Sequence, residues 1–254
     1  MNRAEDITRA IETFVHGFTF TRSFTHPYVG EQVEAMWVMR DALRKGKSPK
    51  YRTEEWIAHG VAPNEIDRIA RQQTRGRFTI CTICANGESD QEMRAEFKAL
   101  GYRLNATEPL MVHSLNDIPT FARPAHLERV TTMAMAERVN KVARSRQLIP
   151  EHLPSDDSLH TPIRQYVALI DGEIVGRVAS IVAGENTWVS NMFVAPEFRR
   201  RGIARALMAQ MLVDDRAAGV QQSVLLATHT GAKLYPIVGY EQIGMLYIYT
   251  PPKV

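Results

Sequence analysis

Val194-Ala-Pro-Glu-Phe-Arg-Arg-Arg-Gly-Ile-Ala-Arg-Ala-Leu207 is the stretch of this 254-residue chain whose reading decides the fold. A β-rich run, Trp188 to Val194, leads into it, and an amphipathic run, Gly202 to Ala218, leads out. In the second run Ile203, Leu207, Met208, Met211 and Leu212 recur at intervals of three and four, which predicts a helix with one face on a sheet. A strand that passes directly into the helix start Arg199-x-x-Gly202-x-Ala204 offers free N–H groups and the positive end of a helix dipole to an anion. Gly202 and Ala204 keep side chains away from a bulky group, and Arg199, Arg200 and Arg201 add charge from the flank. That combination suits a diphosphate. It is neither a Walker motif, since no Gly-Lys-Ser/Thr follows, nor a GxGxxG fingerprint. Taken alone, the same residues serve equally well as a basic helix start with small side chains for packing.

Downstream, Val224 to Ala227 reads as a buried strand, Gly231 to Ile237 as a short helix and Tyr240 to Tyr249 as a last strand. Upstream, Gln165 to Ile170 and Glu173 to Ala183 are strands joined by Asp171-Gly172, a strong hairpin signal. The strand–helix–strand from 188 to 227 needs parallel strands and a right-handed crossover. The sheet is therefore mixed and mostly antiparallel, with helices on both faces, an α/β (α+β) fold. Before it come a helix at 4–16, one or two strands within 18–40, a helix at 64–71, a strand at 78–85, a helix at 91–100 and a strand at 104–114. Asn116 to Pro124 reads as a linker, Arg129 to Met133 as a strand and Met135 to Leu148 as a helix. Pro150 to Pro162 reads as a Pro-, Ser- and Asp-rich loop. Val61-Ala-Pro63 opens the same order of elements as Val194-Ala-Pro196, ending in Phe97-Lys-Ala-Leu-Gly-Tyr102 against Tyr235-Pro-Ile-Val-Gly-Tyr240, a faint internal repeat. The first copy has no glycine after its proline.

The segment Val194 to Leu207 resembles the signature of the GNAT superfamily of N-acetyltransferases, V-x-P followed by R/Q-x-x-G-x-G/A and an aliphatic helix. Ala227-Thr-His-Thr-Gly-Ala-Lys-Leu-Tyr-Pro-Ile-Val-Gly-Tyr240 is similar to the second feature of that family, A-T/S-x-x-G-x-x-L-Y-x-x-L-G-F/Y, in the right order and at the expected distance. The resemblance covers about residues 125–254; residues 1–114 resemble the family only as a degenerate copy without the cofactor motif. It implies two tandem GNAT-like halves, 1–114 and 115–254, with one cofactor site.

The resemblance further implies acetyl-CoA as co-substrate and no metal. The pyrophosphate would lie on the backbone around Arg199, Arg200, Arg201, Gly202, Ile203, Ala204 and Arg205. The pantetheine would follow Met192, Phe193 and Val194, where the family's strands splay at a bulge. Tyr235 stands where a tyrosine often donates to the departing thiolate, although Pro236 departs from the family's polar helix former. No acidic residue stands on the strand 188–194, so Ser190 and Asn191 are candidates to relay the amine's proton through water. His229 is a further candidate base, and Glu151, Asp156 and Asp157 could attract a cationic amine. The expected reaction is transfer of an acetyl group to a primary amine, of a small molecule first. A non-catalytic acetyl-CoA-binding module and a protein acetyltransferase stay open, and a homodimer is allowed.

Bulk properties fit this. A net charge of +3 with one tight arginine run gives no nucleic-acid footprint. No run approaches the ~18 apolar residues of a membrane span, and the N-terminus lacks a secretory core. Cys81 and Cys84 lie on one predicted strand, three apart and so on opposite faces, which is poor geometry for a metal. Two such cysteines fit a reducing, cytoplasmic location.

Overall fold

The structure, a computed structural model, describes residues 3–45, 50–154 and 159–253. These fall into two compact units, Met1–Met111 with Leu226–His229 and Gln242–Val254, and Val112–Leu225 with Thr230–Glu241. The first unit thus takes in the last strand of the chain from Gln242 onward.

The first unit contains α1 (Arg3–Arg22), β1 (Tyr28–Val33), β2 (Met36–Asp41), β3 (Glu54–His59), α2 (Pro63–Gln73), β4 (Phe78–Ala85), α3 (Gln91–Ala99) and β5 (Arg103–His113, its last two residues aside). The last strand, Glu241–Thr250, is β11, and the order across the sheet is β1-β2-β3-β4-β11-β5. β11 runs antiparallel to β4, with Leu246 opposite Ile83 and Ile248 opposite Cys81. A core of Trp56, Ile66, Ile69, Ile80, Phe97 and Tyr249 fills the space between α2, α3 and the sheet.

In the first unit two elements differ from the sequence expectation. Helix α1 runs on to Arg22 through residues whose composition suggests a strand. Thr13, Thr19 and Thr21 turn their hydroxyls onto carbonyls three or four residues back, and Ile7, Ile11, Phe14 and Val15 are buried. Packing and these local bonds outweigh β propensity. Strand β3 begins with two glutamates and was not expected. Glu54 is buried because it accepts from Trp56 Nε1 at 3.2 Å and from the Arg75 amide at 3.0 Å. The cysteines behave as structural residues: Cys81 is buried, and the Cys84 thiol, pushed up to about 11 by burial, sits 3.6 Å from Met93 Sδ.

The second unit holds β6 (His126–Arg129), α4 (Met133–Ala143), β7 (Ile163–Ile170), β8 (Glu173–Ala183), β9 (Asn186–Val194), α5 (Ile203–Ala217) and β10 (Gln222–Leu226, its last residue aside). Its sheet order is β10-β9-β8-β7-β6, antiparallel except for the β9/β10 pair. Asp171 and Gly172 have φ of 50° and 79°, so the β7–β8 hairpin closes through a type I′ turn, which needs positive φ at both central positions. Helix α5 ends in a Schellman motif, with Val220 N–H on Asp215 C=O and Gly219 N–H on Arg216 C=O.

One buried polar cluster fixes α5 on the sheet. Asp215, fully buried, accepts from Arg164 Nε at 3.2 Å and Nη2 at 2.5 Å, from Ser180 Oγ at 2.7 Å and from Thr187 Oγ1 at 2.9 Å. One carboxylate on α5 thereby meets β7, β8 and β9 at once.

Candidate functional site

Strand β9, Asn186-Thr-Trp-Val-Ser-Asn-Met-Phe-Val194, changes character half-way. It pairs with β10 at Asn186↔Gln222, Thr187↔Ser223 and Trp188↔Val224, and the ladder stops there although β9 runs on to Val194. On its other edge the β8 register passes from Ala179↔Ser190 to Arg177↔Phe193, so β9 carries one extra residue, a β-bulge. Asn191, at φ 59°, takes the bulge conformation, which asparagine tolerates better than most side chains. Asn186 to Val189 are buried and Ser190 to Val194 only partly so. The strand therefore surfaces where it loses β10, and its backbone beyond Trp188 has no ladder partner on that edge. The Val194 carbonyl is already taken by Arg199 Nε at 3.0 Å. Neither Ser190 nor Asn191 uses its side chain in a hydrogen bond to a described residue.

The chain leaves β9 through a single 3-10 turn, Pro196–Phe198, and enters α5. Arg200 and Gly202 both have positive φ, 65° and 87°. A Cβ on Gly202 would stand 3.1 Å from Arg205 Nε, the end of a flexible side chain, so it is the conformation that calls for glycine. The first helical bond runs from Ala206 N–H to Gly202 C=O, and no side chain caps the helix. The amides of Ile203, Ala204 and Arg205 are therefore the free donors of this helix start. Arg201 lies over the Phe198 ring at 5.2 Å and donates to the Glu197 carbonyl, and Arg205 lies over Phe121 at 5.3 Å. None of Arg199, Arg200, Arg201 and Arg205 pairs with a carboxylate of a described residue. Four arginines without a described carboxylate partner thus lie within residues 199–205 beside three free amides, an arrangement that favours an anion.

Tyr235 opens a second feature. Pro236 prevents a regular helix here; in place of the expected helix at 231–237 there are two 3-10 turns, Gly231–Lys233 and Tyr235–Val238. Tyr235 is 8% exposed and meets Tyr240 edge-on at 5.7 Å. Its hydroxyl has no described hydrogen-bond partner, and burial pushes its pKa up to about 12.

The remaining candidates lie elsewhere. His229 belongs to the first unit, with Nε2 2.9 Å from Thr107 Oγ1. Glu151 is exposed on the turn Pro150–His152, and Asp156 and Asp157 fall outside the described residues. Among the described residues no group of His, Cys, Asp or Glu is arranged to hold a metal, and no helix is long and apolar enough to cross a membrane. The sequence reading did not single out Arg177, the one cation in the run Ile174 to Ala183.

The first unit lacks this arrangement. There β3 and β4 pair along all six residues of β3, Glu54↔Phe78 to His59↔Ile83, with no bulge. Helix α2 starts on Ala62-Pro63, its Glu65 amide is bonded to Asn64 Oδ1, and Glu65 places negative charge in the first turn. That helix start repels an anion.

In the second unit, then, a strand splayed at a bulge runs directly into a bare, cationic helix start. Residues 162–242 match the family described as Acetyltransferase (GNAT) domain. Solved structures extend the likeness in fold to nearly the whole chain. A GCN5-related N-acetyltransferase from Kribbella flavida superposes with TM-score 0.63 at 15% identity over 96% of each chain. One from Sphaerobacter thermophilus gives 0.55 at 18% identity over 87% of this chain and 78% of that one. A GNAT-family acetyltransferase from Novosphingobium aromaticivorans gives 0.53 at 15% over 96% and 99%. At these identities the likeness is one of fold. A search of curated proteins found no match.

Proposed function

We propose that the second unit transfers the acetyl group of acetyl-CoA to a primary amine of a small molecule. The observation that carries this is the continuity of three features: the split of β9 from β10 after Trp188, the bulge at Asn191 and the free amides of Ile203 to Arg205. The residues fit acetyl-CoA. A side chain at Gly202 would fill the helix start, four unpaired arginines balance a diphosphate, and the open edge of Met192 to Val194 can bond an extended amide arm.

When bound, acetyl-CoA supplies an activated acyl group with a thiolate leaving group. The chain's part is to hold and to stabilise charge. A fixed backbone N–H at the bulge can bond the oxygen that becomes negative as the amine attacks. Tyr235, with its pKa raised to about 12 by burial, stays protonated at any working pH and would supply a hydrogen-bond donor for the departing sulfur. Complete proton transfer from it to a thiolate of reference pKa ~8.5 is uphill, so Tyr235 acts as a donor more than as a full acid. Ser190 and Asn191, their side chains unengaged, can pass the amine's proton to water.

A non-catalytic acetyl-CoA-binding module is the second reading, favoured by the absence of any carboxylate on β9. Acetyl-CoA at ~100-fold its Kd raises stability by about 2.7 kcal/mol in a thermal melt. CoA release with a panel of amines, amino acids and aminoglycosides then separates the readings. Binding with no turnover on any amine establishes the module, and an unshifted melt removes both.

A further inference from the structure

Strand β8 runs Glu173-Ile-Val-Gly-Arg-Val-Ala-Ser-Ile-Val-Ala183, and Arg177 is the one cation in it. Alternate residues of the strand face α5. A Cβ on Gly176 would meet Leu207 at 3.1 Å and Ile203 at 3.2 Å, and Ser180 bonds Asp215. Arg177 and Ala179 therefore face the other way. The register puts Ser190 beside Ala179 and Phe193 beside Arg177, so that face of β9 carries the bulge between them. The guanidinium lies over the Phe193 ring at 4.7 Å.

Arg177 is partly buried, its Nε is closed off from solvent without a partner, and it makes no hydrogen bond or ion pair to a described residue. Desolvation by burial lowers its affinity for the proton, yet an arginine stays charged. Arg164, on the neighbouring strand, shows what the protein does with a buried arginine it uses structurally: it makes three hydrogen bonds, two of them to the Asp215 carboxylate with which it forms an ion pair and one to the Leu159 carbonyl. A second orphan lies on the face that Arg177 occupies. Gln165, paired with Ala179, holds its Nε2 on the Val178 carbonyl at 2.9 Å and leaves Oε1 without a partner. A cation half withdrawn from water and left unpaired is costly unless an anion comes to it.

We propose that Arg177 is a specificity-determining residue that binds a carboxylate of the acceptor, so that the substrate is an amine bearing an acid group, of amino-acid type. This rests on the acetyl-transfer reading above. A planar guanidinium pairs with a carboxylate through two parallel hydrogen bonds. Set one strand from the bulge, Arg177 fixes the acid end of the acceptor while its amine meets the acyl carbon. Amines without the acid leave the guanidinium bare.

The test uses matched pairs: alanine and ethylamine, phenylalanine and phenethylamine, lysine and cadaverine. CoA release gives kcat and KM for each, and acetyl-CoA affinity is measured separately. The wild-type protein favours at least one acid-bearing member by about 10- to 100-fold in kcat/KM. Arg177→Met collapses that preference through KM, leaves acetyl-CoA affinity and the paired amine unchanged, and does not lower the melting temperature. Arg177→Lys restores part of the preference. Equal rates for acid and non-acid members in the wild type overturn the proposal. So does an unaltered preference in Arg177→Met, or acetyl-CoA binding with no member of any pair acetylated. Failure to bind acetyl-CoA instead removes the acetyl-transfer reading itself, and the proposal with it.

Discussion

Asp215→Ala should be the most damaging single change in the second unit. Asp215 is fully buried and accepts four hydrogen bonds, from Arg164 twice and from Ser180 and Thr187 once each. Without it Arg164, 1% exposed, keeps only the Leu159 carbonyl, and two hydroxyls with no solvent access lose this acceptor. Breaking a buried pair from one side costs about 3–5 kcal/mol, because the remaining charge stays buried. Each orphaned hydroxyl alone would cost about 1–3 kcal/mol, an overlapping part of that figure since relaxation serves both. A loss of about 4 kcal/mol is expected in urea unfolding, read through hydrogen exchange of peptides from α5 so that the second unit is seen directly. The double variant Arg164→Met/Asp215→Leu should recover most of it, since apolar groups of similar size replace buried ion pairs at little cost. A loss below about 1 kcal/mol for Asp215→Ala, or a double variant no better than the single one, would refute the account of how α5 is held.

Other expectations can be checked with the same preparations. Gly202→Glu should abolish the acetyl-CoA melting shift, while Gly202→Ala should weaken it and cost about 1–2 kcal/mol through its φ of 87°; a full shift in Gly202→Glu would remove the phosphate site. Tyr235→Phe should lower kcat with little change in acetyl-CoA affinity, and an unchanged kcat removes the tyrosine from the reaction. His113 is 2% exposed, and its Nδ1 accepts the Leu115 amide at 2.9 Å, so the ring is neutral and burial holds its pKa below 6.5. The unfolded chain then takes up the proton first as pH falls below about 6.5, so stability should drop between pH 7 and 5. His113→Asn should flatten that slope, leaving the contribution of His152, whose pKa burial also lowers. Thr132 caps α4 by accepting the Met135 amide, and Thr132→Ala should cost about 1 kcal/mol by thermal melt.

What the sequence showed, and what it withheld, follow physical lines. Elements defined by local periodicity are legible: β4 at 78–85 and β8 at 173–183 fall where alternation places them, and α5 lies within one residue of its apolar spacing at each end. Gly202 is legible because its function is a backbone conformation that few residues adopt. Strand β3 is not, because its glutamates look like surface charge until Trp56 Nε1 and the Arg75 amide are seen to satisfy Glu54. Asp215 reads as a helix's polar face, and only the three-strand cluster reveals it as a core residue. Arg177 reads as ordinary surface charge, since its lack of a partner is a property of space and not of spacing. The end of the β9/β10 ladder at Trp188 is likewise invisible in either strand alone.

The chain's passage between its two units has a consequence for biosynthesis. Strand β11 lies between β4 and β5, so the first unit's sheet stays divided until residues 241–250 have left the ribosome. The half translated first is thus the half completed last, with the edges of β4 and β5 waiting unpaired while more than a hundred further residues are made. Such late, long-range closure is slow and exposes strand edges to mispairing. A fragment cut at the mid-chain linker would lack a central strand, not an appendage, and should yield aggregates where the full chain yields a folded protein.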